Sequence, residues 1–260
     1  MNRFGIPVVS LIAATIVGCL FFVPLPSWYN LVGFITSATV LTYIMGGIGL
    51  RVLRTTAPDL PRPFRLPFAN AIAPLSFLAA LMLVYWSGFT TLVNVFVAVF
   101  AGLAAFVWFY APNEGWIRRA TGGALGTVFL LAWIVVNRLG GWVLNTTGTA
   151  APGALSFPAY FGLFAATLIA FSLALWWLST PIGRQHIQPS AWLVCLLLAT
   201  SLLSYYGEYG PLKPPALAFP QSDLLALVLG IGFYYWAVAS GFATRGISDD
   251  HWCGAANGQS

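Results

Sequence analysis

The sequence predicts an all-α polytopic membrane protein with about eight transmembrane helices. Of its 260 residues, 59% are hydrophobic and only 7% are charged, whereas soluble domains carry about 25% charged residues. The mean hydropathy is +0.85. The apolar residues form separate runs that are long enough, as helices, to cross a hydrocarbon layer of roughly 30 Å. This pattern excludes an ordinary soluble domain.

Each long apolar run predicts one helix. The first run follows the positive start at Arg3, exceeds the hydrophobic region of a signal peptide and lacks a small-residue cleavage site, so we expect a retained helix. The second begins at the aromatic pair Trp28-Tyr29, which favours a membrane interface, and ends in a cluster of arginines and prolines. The predicted spans are residues 6–23, 28–52, 69–86, 91–110, 122–142, 157–178, 191–206 and 224–242.

The distribution of positive charge predicts the orientation. With a cytoplasmic N-terminus, the eight spans place nine basic residues inside and leave only Arg138 and Lys213 outside. The opposite orientation would invert this bias and break the positive-inside rule. We therefore expect cytoplasmic N- and C-termini in a cell membrane, either a plasma membrane or a bacterial inner membrane. The inside residues are Arg3, Arg51, Arg54, Arg62, Arg65, Arg118, Arg119, Arg184 and Arg245.

The formal net charge of +5 does not indicate nucleic acid binding, because the basic residues lie in short loops between apolar runs. That placement favours anionic lipid headgroups, so the lipid bilayer is the expected partner. Residues 53–67 are predicted to form an extended cytoplasmic loop, because each of its prolines restricts the preceding residue and removes a hydrogen-bond donor. Residues 244–260 are polar and are expected to form a disordered cytoplasmic tail.

The sequence predicts no enzyme, cofactor or metal site. No carboxylate lies in the middle of a predicted span, where an ionisable residue would indicate function. Asp249-Asp250-His251 and Cys253 are metal-ligating types, but no second pair of ligands accompanies them, and a solvated tail is the preferred interpretation. Cys19 and Cys195 lie in apolar runs and are expected to be small buried residues.

One helix face in the second span carries polar side chains. Thr36, Thr39 and Tyr43 follow i, i+3, i+7 spacing and therefore share a face. Such a face lines an aqueous vestibule or forms hydrogen bonds with a neighbouring helix, and the sequence favours the second reading without excluding the first. Small residues predict close helix contacts at two places, the ridge of Ala38, Thr42 and Gly46 and the pair Gly122 and Gly126.

A series of short motifs runs through residues 4–67. They are Gly5-Ile-Pro7, Trp28-x-x-Leu31-Val-Gly-Phe, Ser37-Ala-Thr-Val-Leu, Tyr43, Leu50-Arg51-x-Leu53-Arg54 and Pro58-Asp59-Leu-Pro-Arg-Pro-Phe-Arg-Leu-Pro67. In this order they resemble the amino acid–polyamine–organocation (APC) permease superfamily, at its ninth and tenth helices and the following loop. The resemblance implies that residues 1–110 hold helices similar to the ninth to twelfth, and that residues 111–243 add four further helices.

The resemblance implies a partial APC/LeuT-like fold and the C-terminal portion of a secondary transporter of amino acids or related amines. Members of the family build the substrate site chiefly from the first and sixth helices, which this chain does not include. The chain is therefore expected not to transport alone and to need partner helices that supply the missing N-terminal half. Because the tenth helix borders the outer vestibule, Thr36, Thr39 and Tyr43 become candidate lining residues. The alternative is a free-standing membrane scaffold or partner subunit without transport activity.

Overall fold

A computed structural model describes residues 11–12, 15–16, 18–19, 28–58, 64, 66–142 and 151–242. Most of these residues are helical, and the β-structure among them is a single isolated bridge between Gly207 and Leu217. Most of the first predicted span, the centre of the proline-arginine loop and the predicted tail lie outside the described residues.

The described chain is a bundle of long helices, as expected where a backbone must satisfy its own hydrogen bonds away from water. Six of its helices are long and apolar enough to cross a membrane. They coincide with the third to eighth predicted spans, which confirms an all-α polytopic membrane protein. The helices are α1 (Trp28–Thr56), α2 (Ala69–Trp86), α3 (Phe89–Asn113), α4 (Arg119–Gly140), α5 (Phe157–Leu178), α6 (Pro181–Tyr206) and α7 (Gln221–Ala239), and the six candidate spans are α2 to α7.

Helix α1 coincides with the second predicted span, but it continues further than the sequence predicts. The loop expected from residue 53 begins only after Thr56. Hydroxyl groups near the end of the helix bond to its own carbonyls, since Thr55 Oγ1 and Thr56 Oγ1 each donate to Val52 O, at 2.9 and 2.8 Å. Pro58 then limits any further extension, because the residue before a proline avoids helical geometry.

Two other helices are also longer than predicted. Helix α3 passes through a π-helical turn, Phe106–Tyr110, before it ends at Asn113. Helix α6 begins at Pro181, well before the predicted start at residue 191, and includes a 3₁₀ turn at Gln188–Ser190. Its start is fixed by Thr180, whose hydroxyl accepts a hydrogen bond from Gly183 N at 3.2 Å, and proline suits the first helical position that follows.

Small residues allow close contact at two helix pairs. A Cβ atom on Gly122 would lie 2.7 Å from Val107 O, and one on Gly126 would lie 2.7 Å from the Trp108 ring, so α4 approaches α3 closely, as predicted. For α1, no atom of the described residues lies within 4 Å of a Cβ on Gly46, so the contact expected for the ridge of Ala38, Thr42 and Gly46 is not made by this part of the chain. Gly47 instead faces α2, where a Cβ would lie 2.5 Å from Ala73 O.

Aromatic side chains form the centre of the core between α3, α4 and α5. Phe100 lies edge-on to Trp133 with ring centroids 4.6 Å apart, and Phe164 contacts both rings. Lipid tails are as apolar as this core, so burial stabilises it by close contact and ring geometry rather than by removal from water. The buried rings of this cluster are Phe96, Phe100, Phe129, Trp133, Phe164 and Phe171.

Contacts between helix ends and the loops beside them show that consecutive helices run in opposite directions. At one end, Thr180 N donates to Trp116 O at 2.8 Å and Ser240 Oγ donates to Pro189 O at 3.2 Å. At the opposite end, the rings of Phe157 and Tyr205 stack with centroids 3.3 Å apart. We call the first the basic end, because the loops and helix termini there carry Arg51, Arg54, Arg118, Arg119 and Arg184.

Candidate functional site

The predicted polar face of α1 lies on the surface of the described bundle. Thr36 and Thr39 are exposed, and the side chain of Tyr43 is 63% exposed. The opposite face of the helix is buried, with Ile44 only 2% exposed and Ile48 7% exposed. Helix α1 is therefore two-sided. One face packs on α2, and the face with the three candidate residues is left uncovered by the described part of the chain.

Hydrogen bonds within α1 satisfy part of this polar face. Thr39 Oγ1 donates to Ile35 O at 2.8 Å, and Thr42 Oγ1 donates to Thr39 O at 2.7 Å. A threonine bonded to its own helix tolerates lipid, protein or water as a neighbour. The Tyr43 hydroxyl needs a hydrogen-bond partner outside α1, because it lies at the tip of a long side chain, away from the backbone carbonyls of its own helix.

A second polar cluster lies at the end of the bundle opposite the basic end. Trp86 Nε1 donates to Asp223 Oδ1 at 2.7 Å, which joins the end of α2 to the start of α7. Asp223 lies in the first turn of its helix, where a carboxylate complements the partial positive charge of a helix N-terminus. Ser222 Oγ donates to Asp223 Oδ2 at 3.4 Å.

Sequence reasoning missed this second cluster. Trp86 and Asp223 are 137 positions apart, and no local spacing relates them. One signal was present, because Trp86 ends the third predicted span and Asp223 directly precedes the eighth, on the same predicted side of the membrane. Nothing in the sequence indicates that these two helices are neighbours.

Several buried polar atoms in the described residues have no hydrogen-bond partner. In a membrane protein such atoms are costly, because neither water nor lipid replaces the missing bond. They are candidates for contact with a ligand, an ion or a water molecule. The atoms are Tyr85 Oη, Trp142 Nε1, His186 Nδ1, Ser204 Oγ and Tyr234 Oη.

The described residues contain no group of three or more His, Cys, Asp or Glu side chains suited to a metal ion. Cys19 and Cys195 are exposed on their helices, so the expectation that both are buried is wrong. The run Asp249-Asp250-His251 and Cys253 lie outside the described residues.

Two proteins of established function are similar to part of the chain. The chain is 32% identical over 139 residues to the glutamate/serine transporter AimA of Bacillus subtilis (strain 168), and the match covers 53% of this chain and 26% of the relative. It is also 39% identical over 87 residues to the aspartate-proton symporter of the same organism, which covers 34% of this chain and 17% of that relative. The chain is similar to amino acid transporters.

This similarity supports the coarser part of the sequence analysis. The chain is an integral membrane protein with six helices able to span a bilayer, and the relatives are transporters rather than enzymes. The chain spans only about a quarter of the length of the first relative and less of the second. No family model and no solved structure matches it.

Proposed function

We propose that this chain is the C-terminal part of a secondary transporter of amino acids or related amines that works by alternating access. The observation that carries the proposal is the similarity to two amino acid transporters of B. subtilis. Because the matches cover 26% and 17% of those relatives, most of a transporter of that length has no counterpart here. The chain alone is therefore expected not to transport.

The surface of α1 supports this proposal. In the complete transporter, preceding helices would cover the exposed face, and Thr36, Thr39 and Tyr43 would line the outer vestibule beside them. The buried face already packs on α2 through Gly47. Helix α1 would thus join the described bundle to the part of the protein that holds the substrate.

The proposed activity needs no covalent chemistry, enzyme function or cofactor. Transport by alternating access consists of binding, a conformational change and release. The substrates to test first are glutamate, serine and aspartate, because they are named for the two relatives. We also propose that both termini are cytoplasmic and that the basic end faces the cytoplasm, as the positive-inside rule requires.

The test has two parts. An antibody against residues 244–260 should detect a protein about twice the calculated 28.0 kDa in membranes of the source cells. The corresponding long reading frame, reconstituted in liposomes, should take up at least one of the three labelled amino acids with saturation, and the 260-residue chain should not.

Saturable and substrate-specific uptake by the 260-residue chain would contradict the expectation that this chain alone does not transport. A native band at 28.0 kDa without uptake would instead favour the alternative of a membrane scaffold or partner subunit. Cross-linking through cysteines placed on the exposed face of α1 would then identify the partner helices.

A further inference from the structure

Phe68 precedes the first residue of α2 in an unusual backbone conformation. Its φ of 52° and ψ of 28° are left-handed, which is uncommon for a bulky side chain. Glycine or asparagine would adopt this conformation at lower cost. The Phe68 side chain is also 84% exposed, so packing within the described residues does not account for it. A strained and exposed phenylalanine indicates a contact outside the described part of the chain.

Two arginines of α1 form hydrogen bonds close to Phe68. Arg54 Nη2 donates to Leu66 O at 3.0 Å, and Arg51 Nη1 donates to Asn70 Oδ1. Leu66 and Asn70 lie two residues before and two residues after Phe68. Each of these bonds uses one of the several N–H donors of a guanidinium group, and both arginines are partly exposed. Donors therefore remain for a further acceptor beside Phe68.

The segment around Phe68 is strongly basic. Residues 51–70 contain four arginines and one aspartate. Within the described residues, Arg51 and Arg54 bond to an amide oxygen and a backbone carbonyl, and neither forms an ion pair with a carboxylate. The first turn of α2 has no acidic residue, so the partial positive charge of the helix N-terminus adds to that of the arginines. The surface is complementary to an anion.

Exposed aromatic side chains indicate that this surface lies at the level of the lipid headgroups. Phe64, in the loop before α2, is 73% exposed, and Trp177, elsewhere at the basic end, is 71% exposed. Beside Trp177, Arg184 donates to the carbonyls of Trp176 and Trp177, at 3.1 and 2.9 Å. Aromatic rings and arginines at the ends of spanning helices are typical of the membrane interface. The anion available at that level is the phosphate of a phospholipid.

We propose that Arg51, Arg54 and Phe68 form a binding surface for an anionic phospholipid. The two arginines bind the headgroup, and the rings of Phe68 and Phe64 insert at the boundary between headgroups and acyl chains. Contact with lipid offsets the cost of the left-handed backbone at Phe68 and holds the start of α2 at the membrane surface. The inference depends on the membrane spans and is independent of transport.

Fluorescence quenching at one labelled position tests this surface. In the full-length protein with Cys19, Cys195 and Cys253 replaced by alanine, Phe68→Cys carries a fluorophore, and the protein is reconstituted in phosphatidylcholine. Bromine on a lipid quenches a fluorophore only at close range. Brominated phosphatidylglycerol should therefore quench more strongly than brominated phosphatidylcholine at the same mole fraction. The difference should decrease at high NaCl concentration, because salt screens the arginines.

Substitution of the arginines tests whether they cause this preference. Arg51→Gln and Arg54→Gln, each made with the label at position 68, should lower the apparent affinity for phosphatidylglycerol about fivefold, which corresponds to about 1 kcal/mol for a basic residue at an anionic surface. The matched control is Arg138→Gln, an exposed arginine at the opposite end, which should keep the full preference. A label at Leu224→Cys, 59% exposed at that end, should be quenched equally by the two lipids.

Phe68→Asn provides a second measurement that needs no label. Asparagine tolerates the left-handed conformation, so the variant should unfold in detergent at the temperature of the parent or above it. Phosphatidylglycerol should then raise the unfolding midpoint of the parent more than that of the variant, because a bound lipid stabilises the folded state in proportion to its affinity.

Three results would overturn the proposal. Equal quenching by the two lipids at position 68 would mean that the site contacts lipid without a preference for negative charge. Absence of quenching by either lipid would mean that protein covers this position, as preceding helices would. A preference for phosphatidylglycerol that persists in both Arg51→Gln and Arg54→Gln would assign the anionic lipid to other residues.

Discussion

Thr39 illustrates how the spacing of a few side chains carries structural information in a membrane helix. Its hydroxyl bonds to Ile35 O within the helix, and its exposed position on α1 is shared with Thr36 and Tyr43. The common face follows from helical geometry alone. What lies against that face depends on chain segments that the spacing does not describe.

Cysteine accessibility tests the proposed vestibule at the residue scale. In a background with Cys19, Cys195 and Cys253 replaced by alanine, Thr36→Cys and Thr39→Cys in the full-length protein should react with a membrane-impermeant thiol reagent. Reaction is expected because a water-filled vestibule admits the reagent, whereas lipid excludes it. Mass spectrometry of the labelled protein gives the extent of reaction.

The matched control for this labelling is Ile48→Cys, on the buried face of α1, which should stay unmodified. If the cysteines at positions 36 and 39 are as inert as the control, the face is sealed by helices or lipid, and its three residues do not line a vestibule.

At the scale of the element, Gly47 controls the contact between α1 and α2. A methyl group there would lie 2.5 Å from Ala73 O and 2.8 Å from Ser76 Oγ, and the first of these atoms is backbone that cannot rotate away. We expect Gly47→Ala to lower the free energy of unfolding by roughly 1–3 kcal/mol, the usual cost of overfilling a close contact. Thermal unfolding of the purified protein measures the change.

Gly46→Ala is the control, because no atom of the described residues lies within 4 Å of a Cβ at that position. Alanine has the higher helix propensity, so this neighbour should leave stability unchanged or raise it by about 0.5–1 kcal/mol. Equal losses of stability in Gly47→Ala and Gly46→Ala would show that backbone flexibility, rather than contact with α2, explains the glycine at position 47.

The sequence predicted the helices better than their ends. Apolar length alone located the six candidate spans, because a bilayer sets a minimum run of apolar residues. The ends of α1 and α6 depend on single side-chain contacts, such as the hydrogen bond between Thr180 Oγ1 and Gly183 N. The length of an apolar run does not predict such contacts. The sequence also did not indicate that Gly47, rather than Gly46, contacts α2, since adjacent glycines differ only in the direction that they face.

At the scale of the whole molecule, charge predicts orientation. The basic end should face the cytoplasm and the loop at residues 207–220 should face outward. In the cysteine-free background, Lys213→Cys should react with an impermeant reagent in intact cells, whereas Gln185→Cys should react only after the membrane is permeabilised. Both side chains are exposed, so a difference between them reports sidedness rather than burial. The reverse labelling pattern would invert the proposed topology.

The arrangement of helices was not predictable from this one sequence. The aromatic cluster of Phe100, Trp133 and Phe164 joins three helices, and each of these residues resembles any lipid-facing aromatic when read in its own span. The hydrogen bond between Trp86 and Asp223 was equally unpredictable from either span alone. Both depend on which helices are neighbours, and the sequence of a single span does not indicate its neighbours.

The π-helical turn at Phe106–Tyr110 has a consequence for how the length of this chain can vary. Such a turn is equivalent to one residue inserted into a continuous α-helix, so deleting a residue there restores regular geometry and leaves both flanks in phase. The same deletion within α4 would rotate half of that helix by about 100° and turn Phe129 or Trp133 toward lipid. Among homologous genes, single-codon gains and losses should therefore concentrate at this turn of α3.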